Sequence, residues 1–282
     1  MTLRLCPLAS GSSGNAAYVA TDRTSILVDC GTSAREVVQR LRSIEVEPAS
    51  LHGILITHAH VDHYRAAGTL NARFGVPVYV DPSTARALAR NGISTSWRRL
   101  RETRPIPDRI GDLEVLPMDT SHGSGAEDGR TVAYRFSDGR KRIAVVTDLG
   151  RVDEPIRSPL VGIDAILIEA NHSESRIREK LEDRTFAGDW PYLQWVLSDR
   201  GHLSNRQCGE ALAGILTGDP CHVFLGHLSV NHPDRSRDNN TQESALAEVR
   251  RVLVRAGVPV PHFHRTWRLG LEPAGVSRMV DL

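Results

Sequence analysis

A short apolar segment that runs directly into three histidines and an aspartate constrains this chain more than any other feature. The triplet Ile54-Leu55-Ile56 is the apolar, largely β-branched type of segment that forms buried strands. On an extended chain His58 and His60 point to the same side, because side chains alternate with a period of two. A turn into a helix then brings Asp62 and His63 round. The spacing disfavours a chance scatter of surface histidines and predicts two ligands for each of two neighbouring metal ions.

Length and composition are those of an ordinary globular protein. With 282 residues, 40% hydrophobic and 24% charged, the chain is long enough for a packed core, and we expect a single domain over residues 1–282. The formal net charge of +1 gives no sign of a nucleic-acid binder. The basic, aromatic segment 97–101 is typical of a solvated surface, with a nucleic-acid contact as the alternative.

Cysteine usage and hydropathy bear on the location of the protein. The four cysteines are scattered and form no C-x-x-C pair, unlike a disulfide framework: they are Cys6, Cys30, Cys208 and Cys221. The first residues lack the apolar stretch of a secretion signal, and no run is long enough to span a membrane. We therefore expect a cytoplasmic protein without a membrane partner.

Further apolar segments along the chain are also followed by ligand-type side chains. These side chains are Asp29, His122, Asp148 and His227. A lone histidine is more often structural, but recurrence at successive strand ends indicates a site at one rim of a sheet system. The loop 9–15, rich in glycine and serine, is either an ordinary hairpin turn or an anion-binding nest, and the residues leave both open.

These residues fall in the order of the five motifs of the metallo-β-lactamase superfamily, which the chain resembles over residues 5–230. The resemblance implies an α/β fold, the αββα sandwich, with a dinuclear metal centre between two sheets. The implied ligands are His58, His60 and His122 for the first metal, and Asp62, His63 and His227 for the second. Asp148 would bridge both ions, and Asp29 would orient the site without touching a metal.

The implied donor set suits a particular class of metal and reaction. Imidazoles and carboxylates without a thiolate suit zinc, manganese or iron. Two such ions lower the pKa of a shared water from about 15.7 toward 7, which supplies a hydroxide nucleophile, and they clamp the charge of an in-line displacement. This chemistry favours phosphodiester cleavage. The carboxylate of Asp148 also argues against a lactamase that uses a thiolate zinc ligand.

Within the superfamily the chain resembles the YycJ/WalJ-type hydrolases, a family of DNA exonucleases. The segments that carry the resemblance are 8–15, 147–150, 169–172, 201–205 and 227–229. A resemblance to tRNase Z implies that His202 contacts the scissile phosphate or acts as a general acid, held by Glu169. The alternative for His202 is a residue of a helix-capping turn. Asp62 would serve in catalysis as well as in metal binding.

These features favour a metal-dependent 5′-to-3′ exonuclease with DNA as its partner. The alternative is a small-molecule hydrolase that acts on a thioester, a lactone or a cyclic phosphodiester and shares every metal ligand; His202 with Glu169 favours phosphate. A scaffold with a vestigial site is disfavoured because no ligand is missing. The chain departs from the YycJ/WalJ pattern at Ser173 and in the longer loop 230–240, both near the expected site.

Overall fold

The described part of the computed structural model covers residues 2–90, 100, 103–123, 128–229, 240–264, 266 and 279–282. Two features singled out in the sequence lie outside it: the segment 97–101 except for Leu100, and the loop 230–240 except for Asn240. Within the described ranges, every helix is too short or too polar to cross a membrane.

The first sheet has six strands and combines most of the N-terminal third of the chain with its last residues. Its strands are β1 (Arg4–Ala9), β2 (Ala16–Ala20), β3 (Ser25–Val28), β4 (Gly53–Leu55), β5 (Val78–Tyr79) and β13 (Val280–Asp281). They lie in the order β13-β1-β2-β3-β4-β5, with parallel pairing from β3 to β5. Strands β1 and β2 pair antiparallel, so the loop 9–15 joins two neighbouring strands.

The second sheet has seven strands and is parallel over four of them. Its strands are β6 (Arg109–Ile110), β7 (Leu113–Asp119), β8 (Val132–Ser137), β9 (Arg142–Val146), β10 (Ala165–Glu169), β11 (His222–Gly226) and β12 (His262–His264). They lie in the order β12-β11-β10-β9-β8-β7-β6. Since Ile168 pairs with Val146 and Glu169 pairs with Gly226, the carboxyl ends of β9, β10 and β11 meet at one rim.

Side chains cap the first turns of the first, eighth and ninth α-helices of the described residues. The α-helices are α1 (Ala34–Ser43), α2 (Val61–Tyr64), α3 (Ala67–Phe74), α4 (Pro82–Arg90), α5 (Glu154–Leu160), α6 (Glu174–Glu182), α7 (Trp190–Val196), α8 (Asn205–Ile215) and α9 (Gln242–Arg255). Short 3₁₀ helices span Pro48–Ser50 and Arg184–Asp189. The Ser33 side chain accepts a hydrogen bond at the start of α1, and Ser204 and Gln207 form a capping box at the start of α8.

Apolar side chains divide into three cores that define the layers. One packs α1, α3 and α4 on the first sheet, and a second packs α5, α8 and α9 on the second sheet. The third lies between the sheets and joins Val28 and Leu55 to Val145, Leu167 and Phe224. The predicted αββα sandwich is confirmed. Because the third core contains residues of both sheets, we propose that residues 1–282 form one domain.

Candidate metal centre

The seven predicted ligands come together at the rim where the strands end. His58 and His60 follow β4, Asp62 and His63 lie in α2, and the other three follow β7, β9 and β11: they are His122, Asp148 and His227. Five of the seven are buried, and His60 and Asp62 are partly accessible. The convergence follows from topology, because carboxyl ends of parallel strands meet at one edge of a sheet.

Three imidazoles form the first group. The His60 Nδ1 atom lies 2.9 Å from His58 Nε2 and 3.4 Å from His122 Nε2. Three ring nitrogens that face one another at such distances leave lone pairs directed at one point. Three histidine nitrogens are a common protein ligand set of catalytic zinc, so this group fits a metal ion.

A carboxylate and two imidazoles form the second group. Asp62 Oδ2 lies 3.5 Å from His63 Nε2 and 3.8 Å from His227 Nε2. Among the described residues, the buried His227 Nε2 has no hydrogen-bond partner. A buried polar atom is normally satisfied, so this orphaned nitrogen is an independent sign that the group holds a ligand such as a metal ion.

Asp148 stands between the two groups. Its Oδ2 lies 3.3 Å from His63 Nε2, and its Oδ1 lies 3.8 Å from His122 Nε2. The Oδ2 atom is buried and has no hydrogen-bond partner within the described ranges. One oxygen toward each group is the arrangement that a carboxylate shared by two metal ions needs.

The ring nitrogens that face away from the cluster are held by protein oxygens. The contacts are His58 Nδ1 with Thr57 Oγ1 at 2.9 Å, His63 Nδ1 with Asp29 Oδ2 at 2.7 Å, His122 Nδ1 with the Gly201 carbonyl at 2.8 Å, and His227 Nδ1 with Glu169 Oε1 at 2.6 Å. Such contacts fix the tautomer and the orientation of a ligating imidazole. Four of the five predicted histidine ligands therefore present a preset nitrogen to the cluster.

The histidine pKa values differ between the two groups of the cluster, lowered in the first and raised in the second. Burial lowers the pKa of His58 well below its ordinary value and that of His122 to about 4, so both imidazoles are neutral donors at pH 7. Burial also opposes charge on His227 and His63, but neighbouring carboxylates led by Asp148 outweigh it and raise the pKa of His227 to about 10 and that of His63 well above its usual range. Protons on His63 and His227 neutralise the nearby buried carboxylates, and a divalent cation could take over this role.

The backbone is strained where the strands deliver their side chains. Asp29, Asp148 and His227 all lie in the left-handed region, with φ of 60°, 60° and 49°. Non-glycine residues rarely take such φ values, and they concentrate at functional sites. The strand β3 therefore ends at Val28, because the turn at Asp29 breaks the extended conformation.

Sequence reasoning missed several residues that hold the cluster in place. Ser10 Oγ accepts a hydrogen bond of 2.7 Å from the His227 N–H, and Asn171 Nδ2 donates one of 2.8 Å to the His227 carbonyl. Asn15 Nδ2 lies 3.0 Å from His63 Nε2. A Cβ atom on Gly31 would lie 1.4 Å from the Asp62 carbonyl oxygen, so only glycine permits this approach. The sequence motifs 8–15 and 169–172 contain Ser10, Asn15 and Asn171, but they do not predict these contacts.

Three backbone amides of the loop 9–15 donate hydrogen bonds to other groups of the protein. The Gly11 N–H donates to Asn15 Oδ1 at 3.0 Å, the Gly14 N–H to the Gly11 carbonyl at 2.9 Å, and the Asn15 N–H to the Asp62 carbonyl at 2.8 Å. Amides engaged in this way are not available to an anion. The hairpin-turn interpretation is therefore favoured over the anion nest.

His202 and Glu169 form a pair beside the cluster. His202 Nδ1 lies 2.8 Å from Glu169 Oε1 and 4.0 Å from Asp148 Oδ1. The other Glu169 oxygen accepts the N–H groups of Leu149 and Leu203, at 3.1 and 3.2 Å. The N-cap of α8 is Ser204, so capping does not explain the presence of His202.

We expect Asp29→Asn to weaken metal binding roughly 10- to 100-fold, the usual effect of losing an outer partner of a ligand. Both Asp29 oxygens are occupied by the Thr57 N–H, the Thr57 hydroxyl and His63, so we expect Asp29 to orient His63 without touching a metal. Titration against a competing chelator measures the affinity. Both ions should still bind at saturating metal; losing one there would mean that Asp29 is a ligand. Asp112→Asn, which alters a carboxylate bonded to the Thr21 hydroxyl, is the control.

Comparison with known proteins agrees with the fold. Residues 24–225 match the family model described as the beta-lactamase superfamily domain. The chain is 30% identical to exodeoxyribonuclease YycJ of Bacillus anthracis, over 92% of each chain, and 32% identical to exodeoxyribonuclease WalJ of Streptococcus pneumoniae D39, over 90% of this chain and 89% of WalJ. Its fold is similar to that of the metallo-beta-lactamase fold protein YhfI of Bacillus subtilis, with a TM-score of 0.67 and 15% identity over the full length of both chains. The chain therefore belongs to the beta-lactamase superfamily.

Proposed function

We propose that this protein is a metal-dependent phosphodiesterase that degrades DNA as a 5′-to-3′ exonuclease. The observation that carries the phosphodiesterase assignment is the buried pair of Glu169 and His202 at 2.8 Å, next to a cluster of metal-type ligands. DNA as the substrate is supported by the similarity to two exodeoxyribonucleases over about nine-tenths of the chain. The direction of digestion comes from the resemblance to that family.

The proposed ligand sets follow the two groups in the structure. One ion would be held by His58, His60 and His122 and the second by Asp62, His63 and His227, with Asp148 available to both. Zinc and manganese suit this set of nitrogen and oxygen donors, and iron also fits. When bound, two such ions supply Lewis-acid stabilisation of the phosphate charge and a water of lowered pKa.

His202 provides the proton in the proposed mechanism. Glu169 accepts the Nδ1–H of His202 and orients the ring, so the Nε2–H is the group that the proposed acid offers to the substrate. Within the described residues, no protein group bonds to His202 Nε2. A phosphodiester bound at the cluster would place its leaving oxygen against this N–H, and proton donation there is worth roughly 10²–10⁴-fold in rate.

We propose a cytoplasmic location from the state of the cysteines. All four lie in the described part of the chain, are buried and form no disulfide. Burial raises the pKa of the Cys208 thiol well above its usual range and that of Cys221 to about 12, so these thiols are inert and structural. Reduced, buried thiols are typical of proteins from a reducing compartment.

The experiment that tests the function compares three substrates with one preparation. DNA labelled at the 5′ end or at the 3′ end, bis-p-nitrophenyl phosphate and a thioester are each incubated with the metal-loaded protein, with EDTA as the control. We expect DNA and the phosphodiester to be hydrolysed, and the 5′ label to be released first. Hydrolysis of the thioester alone would instead establish the small-molecule hydrolase, which shares every metal ligand.

A further inference from the structure

Helix α7 presents aromatic side chains next to the metal centre. The rings of Tyr192 and Trp195 are stacked, with centroids 6.0 Å apart and planes at 27°. The Tyr192 side chain is 54% exposed, although the chain is only 5% aromatic. An exposed aromatic ring stacked on a second one is an unusual surface feature, because large apolar side chains are normally buried.

The stack reaches the residues that act on the substrate. The Trp195 ring centroid lies 5.4 Å from that of His122 and 5.3 Å from that of His202. Trp195 is in turn stacked with Tyr192. A base resting on Tyr192 would therefore lie near a phosphodiester bound at the metal centre.

Beyond Tyr192 the surface continues into a small pocket between α6 and α7. Its walls include His172, Arg176, Tyr192 and Asn240, and its volume is about 40 Å³. A volume of this size holds two or three waters, so the pocket suits the polar edge of a nucleotide and not a whole base. Arg176 is partly buried there and has no carboxylate partner in the described ranges. Its fork of donors matches a phosphate group.

His172 adds an independent sign of a ligand. It is buried, and its Nε2 has no hydrogen-bond partner in the described part of the chain. The Asn171 amide is fixed because its Nδ2 donates to the His227 carbonyl, so its Oδ1 accepts the Nδ1–H of His172 at 3.3 Å. His172 Nε2 therefore carries a lone pair and accepts a hydrogen bond from a ligand N–H or O–H.

We propose that Tyr192 and Trp195 form a stacking platform for a base of single-stranded DNA, and that Arg176 and His172 contact the phosphate and a donor group of the adjoining nucleotide. This inference rests on the proposed function and adds the form of the substrate: a strand end whose bases are unpaired. Aromatic platforms beside cationic side chains are how proteins hold single strands without reading their sequence.

Binding of a phosphorothioate-linked single strand, followed by fluorescence anisotropy, tests the platform without cleavage. Tyr192→Ala should weaken binding roughly 5- to 150-fold, the range for loss of one base–aromatic stack, whereas Tyr192→Phe keeps the ring and should bind like the wild type. A strand of the same charge with abasic sites should bind equally to wild type and Tyr192→Ala. Val254→Ala, at a side chain that is 66% exposed on α9, is the matched control for loss of an exposed apolar group. Metal content and melting temperature confirm that each variant is folded.

The outcomes separate the platform from the proposed function. If the wild type cleaves DNA and Tyr192→Ala binds the normal strand with wild-type affinity, the platform is refuted and the nuclease assignment stands. If the loss is the same for the abasic strand, the contact is with the backbone and stacking is refuted. A wild type that neither binds nor cleaves DNA overturns both proposals together.

Discussion

Asp148→Ala is expected to lose at least one of two bound metal ions and most phosphodiesterase activity. Asp148 reaches toward both ligand groups, at 3.3 Å from His63 Nε2 and 3.8 Å from His122 Nε2. Removing even an outer partner of a ligand costs about 10–100-fold, so loss of a shared ligand should lower activity by more than roughly 100-fold. Metal content is measured by inductively coupled plasma analysis of the purified variant.

The control for Asp148→Ala is Asp199→Ala, which removes a carboxylate of the same size that is bonded at the surface to Arg151. This variant should keep both ions and full activity, since exposed ion pairs contribute little to stability. Two full equivalents of metal in Asp148→Ala would show that Asp148 does not join the two ions. The proposed ligand sets would then have to be redrawn around the remaining six residues.

The second large effect is expected at His202. His202→Ala should keep both metal ions and cut the cleavage of DNA roughly 10²–10⁴-fold, because it removes the proposed proton donor and no proposed ligand. Glu169 stays in place without it, held by the N–H groups of Leu149 and Leu203 and by His227. The defect should be smaller for bis-p-nitrophenyl phosphate, because its leaving group departs without a proton.

The comparison of two substrates distinguishes a proton donor from a structural residue. A structural defect lowers the hydrolysis of both substrates by the same factor, whereas loss of a general acid spares the activated ester. His52→Ala is the control, since His52 is an exposed histidine that accepts a hydrogen bond from the Ser25 N–H. Cleavage of DNA by His202→Ala at the parental rate would leave His202 without a catalytic role and would favour the small-molecule hydrolase.

Much of the site could be predicted from the sequence, because the positions of its ligands follow a local pattern of an apolar segment and then a ligand-type residue. Asp148 and His227 each follow an apolar strand, and because the carboxyl ends of parallel strands share an edge of the sheet, a strand-by-strand interpretation places both at one rim. The segment from His58 to His63 needed only the alternation of an extended chain and the turn into α2.

Apart from Asp29 and the Glu169–His202 pair, which the family resemblance implied, the partners of those ligands could not be predicted, because they depend on contacts between distant segments. Ser10 lies 217 residues from His227 along the chain, and Glu169 Oε1 contacts both His202 and His227. The spacing of these residues in the sequence does not indicate such contacts. The contact of helix α7 with the site could not be predicted for another reason. The segment 190–197 is rich in aromatic and apolar side chains, but nothing local indicates that Trp195 would face His122.

The left-handed backbone at the strand ends sets stability against activity. Asp29, Asp148 and His227 each hold a φ that glycine adopts freely and that costs other residues on the order of 1 kcal/mol or more. Glycine at Asp148 or His227 would relax the backbone and also delete a buried atom that has no hydrogen-bond partner among the described residues. A selection for thermal stability alone, with no demand for activity, would therefore favour the loss of these two side chains and with them the metal centre. Library screens that aim to stabilise this enzyme should hold these two positions fixed.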